Sequence, residues 1–445
     1  MRTLTTQSRG RRRGHLPVVS FLLGVALLVA GCSTALIPPT RSTAPTIATP
    51  PPGSAAGSSA LKPIDQALLQ TTVATTAKEL LVPGAVVLLH TPEGEFTVTY
   101  GTTRLGTTSP PRADTHLRIA SNTKTMTAAV ILQLAQESSL SLGDPVSKYV
   151  AGVPNGDDIT IAELLEMRSG LYNYTNAPEV SASADRDPTK VWTPDELLAI
   201  AFAHPPNFPP GTAYEYCNTN YALLGLIAER VDGRPLARAM QDRLFGPLGM
   251  QHTVLPASTV NTIPEPYSHG YLYGSSSVAL VGTPPYSAAM QAAARAGTLL
   301  PNDYTRLNHS FAAAAGGVIS TADDLATWIQ ALVAGRGLDA AYQRRWLESP
   351  KPVDPSKPDG QQYGYGIAQL RWGPNQIFFH GGETPGYNSF VGHDPRNQVT
   401  LVVWTNLTVS LDEAPTANAL MLKVLDQIYV VSPLAAATRG RPRWV

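Results

Sequence analysis

Apolar positions along the chain separate two strand-bearing ends from a helical middle. An amphipathic stretch over 64–81 predicts a helix, and the runs at 84–90 and 96–100 predict a strand pair that turns at Glu93-Gly94. The stretch 121–136 is apolar at most of its interior positions, which predicts a buried helix.

The remaining elements follow from the same patterns. Helices are predicted at 161–167, 194–203, 221–231 and 237–244 within a mostly helical stretch of about 140–310, although 255–310 is too poorly periodic to divide into elements. Strand patterns return at 365–370, 376–380, 388–392 and 400–406, before a last helix at about 413–429. This order predicts an α+β fold, with an antiparallel sheet completed by both ends of the chain, flanked by the terminal helices and carrying a mostly helical subdomain.

The first 31 residues have the pattern of an export signal. Five arginines and no acidic residue precede or flank the apolar run 18–30. That run would make about 20 Å of helix, which is too short for a hydrocarbon core of roughly 30 Å. Val29-Ala30-Gly31-Cys32 also resembles the lipobox of bacterial lipoproteins, so Cys32 is predicted to be lipidated; the alternative is an ordinary signal peptide with an incidental cysteine.

Residues 33–63 are rich in Ser, Thr, Ala and Pro and are predicted to be an extended linker that holds the body off a membrane. The predicted organisation is therefore a signal peptide at 1–31, the lipidated cysteine and linker at 32–63, a catalytic domain at 64–432 and a tail at 433–445. We expect the protein to be exported and anchored by lipid on the outer face of the bacterial cell membrane. With Cys32 lipidated, Cys217 has no partner for an intramolecular disulfide.

Charge excludes one class of function. The chain has 33 basic and 33 acidic residues, and removing the first 31 residues leaves 28 basic against 33 acidic. A mildly acidic domain does not have the excess of basic residues that nucleic-acid binding requires. No HExxH or CxxC motif, GxSxG elbow or phosphate-binding glycine loop occurs, so neither a catalytic metal nor a cofactor is expected.

Ser121-Asn122-Thr123-Lys124 carries the strongest signal for chemistry. A serine hydroxyl needs a base within hydrogen-bond reach to act as a nucleophile, and a spacing of three residues puts Lys124 on the same helix face as Ser121. The positive end of the helix dipole favours a lowered lysine pKa. A second copy of the pattern, at 59–62, lies in the linker and is accidental.

Two further motifs follow in the chain. Tyr216-Cys217-Asn218 comes 95 residues after Ser121, and a phenol beside a lysine ammonium is expected to shift toward phenolate. Tyr174-Thr175-Asn176 has the same pattern but is a much weaker candidate for this motif. His380-Gly381-Gly382 ends a predicted strand, where glycines would let the backbone approach a substrate closely.

These three motifs, in this order and with these flanks, resemble the serine β-lactamase and D-alanyl-D-alanine carboxypeptidase superfamily in its class C-like branch, which also holds esterases and D-amino-acid peptidases. The resemblance covers about residues 66–430 and implies a β-lactamase/transpeptidase-like fold. It implies that Ser121 is the nucleophile, that Tyr216 is a general base or proton shuttle, and that Asn218 holds the substrate's amide carbonyl.

The resemblance also implies that the strand at His380 and Gly382 pairs with the substrate. The backbone N–H of Glu383 would join that of Ser121 in an oxyanion hole. Many β-lactamases carry Lys where His380 stands, and a histidine is mostly neutral at pH 7. That difference, together with Glu383 in place of a small or hydroxyl residue, weakens the case for substrates recognised by a carboxylate.

The sequence therefore predicts a serine acyl hydrolase for a small-molecule or peptide substrate. A D-alanyl-D-alanine carboxypeptidase-like activity on cell-wall peptides and an esterase-like activity are the leading alternatives. A weak β-lactamase is a third, and a catalytically silent penicillin-binding-like lipoprotein is a rival from another class. Because Ser121, Lys124, Tyr216 and Asn218 are all present, the silent alternative is disfavoured.

Overall fold

A computed structural model of the chain describes residues 61–282 and 286–430. The predicted signal peptide, Cys32, nearly all of the predicted linker and the predicted tail from 433 lie outside the described residues. No helix within the described part is long and apolar enough to cross a membrane.

The elements are numbered in chain order. The helices are α1 Gln66–Glu79, α2 Thr123–Gln136, α3 Ile161–Leu165, α4 Pro178–Arg186, α5 Pro194–Phe202, α6 Asn218–Asp232, α7 Leu236–Met240, α8 Gly246–Leu248, α9 Ser277–Leu280, α10 Ala288–Arg295, α11 Ala313–Gly316, α12 Ala322–Val333, α13 Ala340–Leu347 and α14 Thr416–Ile428. The strands are β1 Gly84–Thr91, β2 Gly94–Gly101, β3 Leu117–Arg118, β4 Tyr271–Leu272, β5 Asn302–Asp303, β6 Ile319–Ser320, β7 Lys351–Pro352, β8 Gln362–Tyr363, β9 Ala368–Trp372, β10 Asn375–Thr384, β11 Tyr387–Asp394 and β12 Val399–Thr405.

An eight-stranded antiparallel sheet, in the order β2-β1-β12-β11-β10-β9-β8-β7, forms the centre of the fold. Every residue of β11 and β12 is buried, so helices cover both faces of these strands. The terminal helices α1 and α14 pack together, α14 packs on β11 and β12, and α12 also packs on these two strands. The expectation of an antiparallel sheet built from both ends of the chain is confirmed.

A helical region lies between the two sheet-forming ends. Helices α3 to α8 follow α2 in the chain, and α2 packs against α6, α7 and α11. Thirteen of the fourteen residues of α2 are buried, as its apolar sequence predicts. The α2 helix therefore lies in the core, and the turn before it is held in place by the surrounding packing.

Some boundaries differ from the sequence prediction. The helix predicted from 121 begins at Thr123, because Ala120–Asn122 form a 3₁₀ turn. His380 does not end its strand: β10 continues to Thr384 and joins β11 through Pro385-Gly386. Glycine has a low strand propensity, so the pattern of β10 weakens at its glycines although the backbone pairing continues.

Candidate active site

Ser121 lies on a sharp connection between β3 and α2. The preceding residue, Ala120, has φ of +47°, a left-handed conformation that costs a non-glycine residue of order 1–3 kcal/mol. Ser121 is partly exposed, whereas its neighbours Ala120 and Asn122 are buried. The strained turn thus presents one hydroxyl to solvent from an otherwise buried segment.

Lys124 lies directly behind this hydroxyl. Its Nζ donates to Asn218 Oδ1 at 2.7 Å and to the carbonyl of Ala315 at 2.8 Å, and it lies within hydrogen-bond distance of Ser121 Oγ, at 3.1 Å. The side chain has no exposed surface, and burial lowers the pKa of its amine well below the ordinary value. A lysine that loses its proton more easily is suited to accept the proton of Ser121.

Tyr216 lies on the other side of Lys124, whose Nζ is 4.8 Å from the centroid of the phenol ring. Burial raises the pKa of Tyr216 well above its ordinary value, and the nearby Ser121 hydroxyl opposes this rise only in part. The buried Tyr216 Oη has no hydrogen-bond partner of normal geometry. The expected shift toward phenolate is therefore wrong in direction: burial keeps the phenol neutral, so it can only carry a proton or donate a hydrogen bond.

Asn218 is the first residue of α6, and a second chain segment fixes its side chain. Its Oδ1 accepts from Lys124, and its Nδ2 donates to Thr175 Oγ1 at 3.0 Å. Its backbone N–H donates to Asn173 Oδ1 at 3.0 Å. Asn173 and Thr175, at the Tyr174-Thr175-Asn176 pattern, therefore hold Asn218 of the second motif in place. Tyr174 itself donates to the carbonyl of Phe311 at 2.6 Å and is not available as a base.

Cys217, between Tyr216 and Asn218, is buried and donates from Sγ to the carbonyl of Leu171 at 3.3 Å. Burial raises the pKa of its thiol to about 11. A thiol that stays protonated is a poor nucleophile. Cys217 therefore serves as a packing residue in this site.

His380 lies behind the cleft rather than on its wall. The side chain is buried, its Nε2 is 3.0 Å from Tyr363 Oη, and its ring is 6.3 Å from that of Tyr216. Burial, and then the proximity of Lys124, lower the pKa of His380 to about 3. The ring is neutral at pH 7, as the sequence predicts, and it supports Tyr216 through packing.

Gly382 is where β10 meets the turn that carries Ser121. A Cβ at Gly382 would lie 2.2 Å from the carbonyl oxygen of Ile119 and 2.5 Å from Ser389 Oγ. Asn122 Nδ2 donates to that same carbonyl and to Ser389 Oγ, which ties the turn to β11. Glycine at 382 therefore lets β10 lie close to the turn that carries Ser121. The sequence had suggested a different reason for a glycine here, the close approach of a substrate.

The far end of β10 is open on one side. Its pairing with β9 stops at Phe379, so within the described residues 380–384 pair only with β11. Glu383 is partly exposed there and lines the same cleft as Ser121 and Tyr216. An open strand edge beside the nucleophile is the place where a substrate backbone could add to the sheet.

The cleft itself has a volume of about 360 Å³. Its walls also include residues from the segment in which the sequence predicted no elements: Val278, Ala279, Leu280, Val281 and Gly282. Their sequence has no periodic pattern, and nothing in it indicates a place beside Ser121. Only the fold shows that this segment belongs to the site.

No group of three or more His, Cys, Asp or Glu side chains within 61–282 and 286–430 is arranged to hold a metal ion.

Comparison with known proteins agrees with the fold. The sequence model of the beta-lactamase family matches residues 69–426. The structure resembles that of a D-stereospecific amidohydrolase from a Streptomyces species, with a TM-score of 0.68 and 31% identity, covering 80% of this chain and 98% of that one. A D-amino acid amidase from Ochrobactrum anthropi SV3 gives a TM-score of 0.69 and 25% identity, covering 81% and 98%.

A curated relative is protein flp of Staphylococcus aureus strain MW2. It is 29% identical over 307 residues, which are 66% of this chain and 53% of that protein. The matched region thus spans about half the length of this relative.

Proposed function

Because the chain belongs to the beta-lactamase family, we propose that it hydrolyses amides or esters through an acyl-enzyme on Ser121. The family and the amidohydrolase neighbours make it a serine hydrolase. The observation that carries the proposed mechanism is the 3.1 Å hydrogen bond between a fully buried lysine amine and the hydroxyl of Ser121.

The proposed reaction has two halves. Ser121 Oγ attacks the substrate carbonyl while its proton passes to the neutral Lys124 amine, and the tetrahedral intermediate collapses as the bond to the leaving group breaks. The leaving amine or alcohol takes up that proton, for which the neutral Tyr216 hydroxyl is a suitable carrier. Water then attacks the acyl-enzyme ester and loses a proton to the same amine. The bond between the acyl carbon and Ser121 Oγ breaks, Oγ takes that proton back, and the acid is released.

Backbone N–H groups of Ser121 and Glu383 are the proposed oxyanion donors in both halves. Glu383 lies on the wall of the cleft that also contains Ser121. Asn218, held by Lys124 and Thr175, is the proposed partner of the substrate's amide. In this proposal, a class C-like arrangement of three motifs performs acyl transfer without a cofactor.

The substrate class follows from the charge of the cleft. D-alanyl-D-alanine carboxypeptidases and β-lactamases must hold a substrate carboxylate, but no Lys, Arg or His is among the described residues that line the cleft. The names of the structural neighbours point instead to amides of D-amino acids. We therefore favour a D-stereospecific amide hydrolase over a carboxypeptidase, with esters as the second candidate. The assembled site argues against a silent binding protein.

A fluorophosphonate probe tests the proposed nucleophile. Attack by Ser121 forms a serine–phosphorus bond with loss of fluoride, so intact-protein and peptide mass spectrometry should place one adduct on Ser121. Ser121→Ala is the control and should stay unlabelled. Equal labelling of both proteins, or labelling of neither, would contradict the mechanism. Hydrolysis of L-phenylalanine amide as fast as that of the D-enantiomer would contradict the proposed preference for D-amino acid amides.

We also propose that the protein is exported and anchored by lipid at Cys32 on the outer face of the cell membrane. The arginine-rich start, the apolar run 18–30 and the lipobox-like Val29-Ala30-Gly31-Cys32 support this. Expressed from its full gene in a bacterial host, the protein should enter the detergent-rich phase of Triton X-114, and Cys32→Ser should move it to the aqueous phase. The same partition for both would count against lipidation.

A further inference from the structure

Arg118 is a charged side chain that lies in the core, shortly before Ser121 in the chain. It is the second residue of β3, pairs with Ile319 of β6, and is only 1% exposed. Arginine is almost never fully buried unless its charge is paired. The burial of Arg118 therefore requires a partner for its guanidinium group.

The described residues supply only part of that partner. Arg118 Nη2 donates to the carbonyl of Asn261 at 3.0 Å, whereas the buried Nε and Nη1 have no acceptor of normal geometry within 61–282 and 286–430. A guanidinium group has five N–H donors and no acceptor, so one carbonyl cannot satisfy it. Donors that are buried without an acceptor are strongly unfavourable.

The charge on Arg118 is unpaired as well. Burial lowers the pKa of Arg118 to about 10, so the guanidinium group is still protonated at pH 7. The titratable groups whose charges act on it are Tyr387, kept neutral because burial raises its pKa, and the cationic Arg306. Burial, and then the charge on Arg118, lower the pKa of nearby His309, which is neutral too. These neighbours supply no negative charge.

The polar neighbours of Arg118 are also engaged elsewhere. Tyr387 Oη donates to a backbone carbonyl at 2.8 Å. Both ring nitrogens of His309 lie 2.9 Å from an oxygen, one from the carbonyl of Leu307 and the other from Thr384 Oγ1. Neither side chain can turn to Arg118 without breaking its own hydrogen bonds.

We propose that Arg118 binds a small monovalent anion from solution, such as chloride, beside the turn that carries Ser121. The anion would accept from Nε or Nη1 and compensate the buried charge. A small ion is favoured over a large one, because Arg118 has almost no exposed surface and does not line the catalytic cleft. This inference goes beyond the proposed hydrolysis and does not depend on it.

Bromide locates the anion directly, since it replaces chloride and scatters X-rays anomalously. Crystals of the wild-type protein grown in sodium bromide should show an anomalous peak within hydrogen-bond distance of Arg118 Nε or Nη1. Bromide found only at other positions would be an adventitious ion only. That result, or the absence of any peak, would overturn the proposal and assign these donors to water.

Folding stability in solution gives a second measurement. An anion that binds only the folded state multiplies the folding equilibrium constant by 1 + [L]/Kd, so chloride at about ten times its Kd should raise that constant about 10-fold. Urea unfolding in sodium chloride and in sodium gluconate, at equal ionic strength, compares chloride with an anion too large for a buried site. Equal stability of the wild-type protein in both salts would contradict chloride binding.

Arg118→Met and Arg295→Gln are the matched variants. Methionine keeps much of the apolar stem and removes the charge, a change that buried sites often tolerate, so the difference between the two salts should disappear. Arg295 is exposed and pairs with Asp412 at 3.2 Å, so Arg295→Gln should keep the wild-type difference.

Two results with these variants would count against Arg118. A chloride effect that persists in Arg118→Met, or one that is lost equally in Arg295→Gln, would mean that general charge sets the response. If Arg118→Met does not fold, the bromide position and the wild-type comparison of salts decide the question.

Discussion

Replacing Lys124 with methionine is expected to lower kcat by about 10²- to 10⁴-fold, the range typical of a general base. Methionine matches the length and apolar character of the lysine stem but cannot take the proton of Ser121. The variant leaves Asn218 Oδ1 and the carbonyl of Ala315 without the donor that Lys124 supplies, so folding is measured alongside activity. Turnover of a p-nitrophenyl ester, with circular dichroism as the check on folding, measures the effect.

The pH profile distinguishes a base from a merely structural lysine. Burial lowers the pKa of Lys124, so the amine should be neutral and active above that lowered value, and activity should fall on the acid side as the amine is protonated. Lys124→Met should lose this acid limb in its residual activity. An unchanged limb, or a variant with wild-type kcat, would contradict the assignment of Lys124 as base.

The pH dependence of folding stability should also reflect the lowered pKa of Lys124. A lysine whose pKa is lowered on folding binds fewer protons in the folded state than in the unfolded state, at any pH between the two pKa values. Raising the pH in that window therefore stabilises the fold, by about 1.4 kcal/mol per unit for one proton. Urea unfolding at pH 9 and pH 10 should show wild-type protein gaining stability relative to Lys124→Met; parallel pH dependences would contradict the buried, low-pKa amine.

Gly382→Ala is expected to damage both the fold and the reaction. The new methyl group would meet backbone, the Ile119 carbonyl at 2.2 Å, so β10 and the Ser121 turn must move apart. Overpacking of this kind costs about 1–3 kcal/mol, and displacing the reacting groups by about 1 Å can cost about 10²-fold in rate. Urea unfolding and ester turnover measure the two effects.

Gly143→Ala provides the control for Gly382→Ala. Gly143 is exposed, and the nearest atom to an added Cβ is Ser141 Oγ at 3.8 Å, which is ordinary contact. Gly143→Ala should leave the free energy of unfolding and the ester turnover close to those of the wild type. If Gly382→Ala behaves in the same way, then close contact between β10 and the turn does not set the position of Ser121.

The sequence determined the main outline of the fold, because burial and strand pairing leave periodic patterns. The strands at both ends and the buried helix after Ser121 follow from such patterns. Patterns weaken where glycine replaces an apolar residue, which is why β10 extends past its predicted end at His380.

The sequence by itself also determined which side chains are available for chemistry, since a serine and a lysine three residues apart at the start of a helix must lie on one face. Only the tertiary structure decided their surroundings. It buried the Tyr216 hydroxyl and so kept the phenol neutral, placed Thr175 against Asn218, and brought 278–282 and Glu413 to the cleft. These outcomes depend on burial and on contacts between distant segments, which no local spacing of residues encodes.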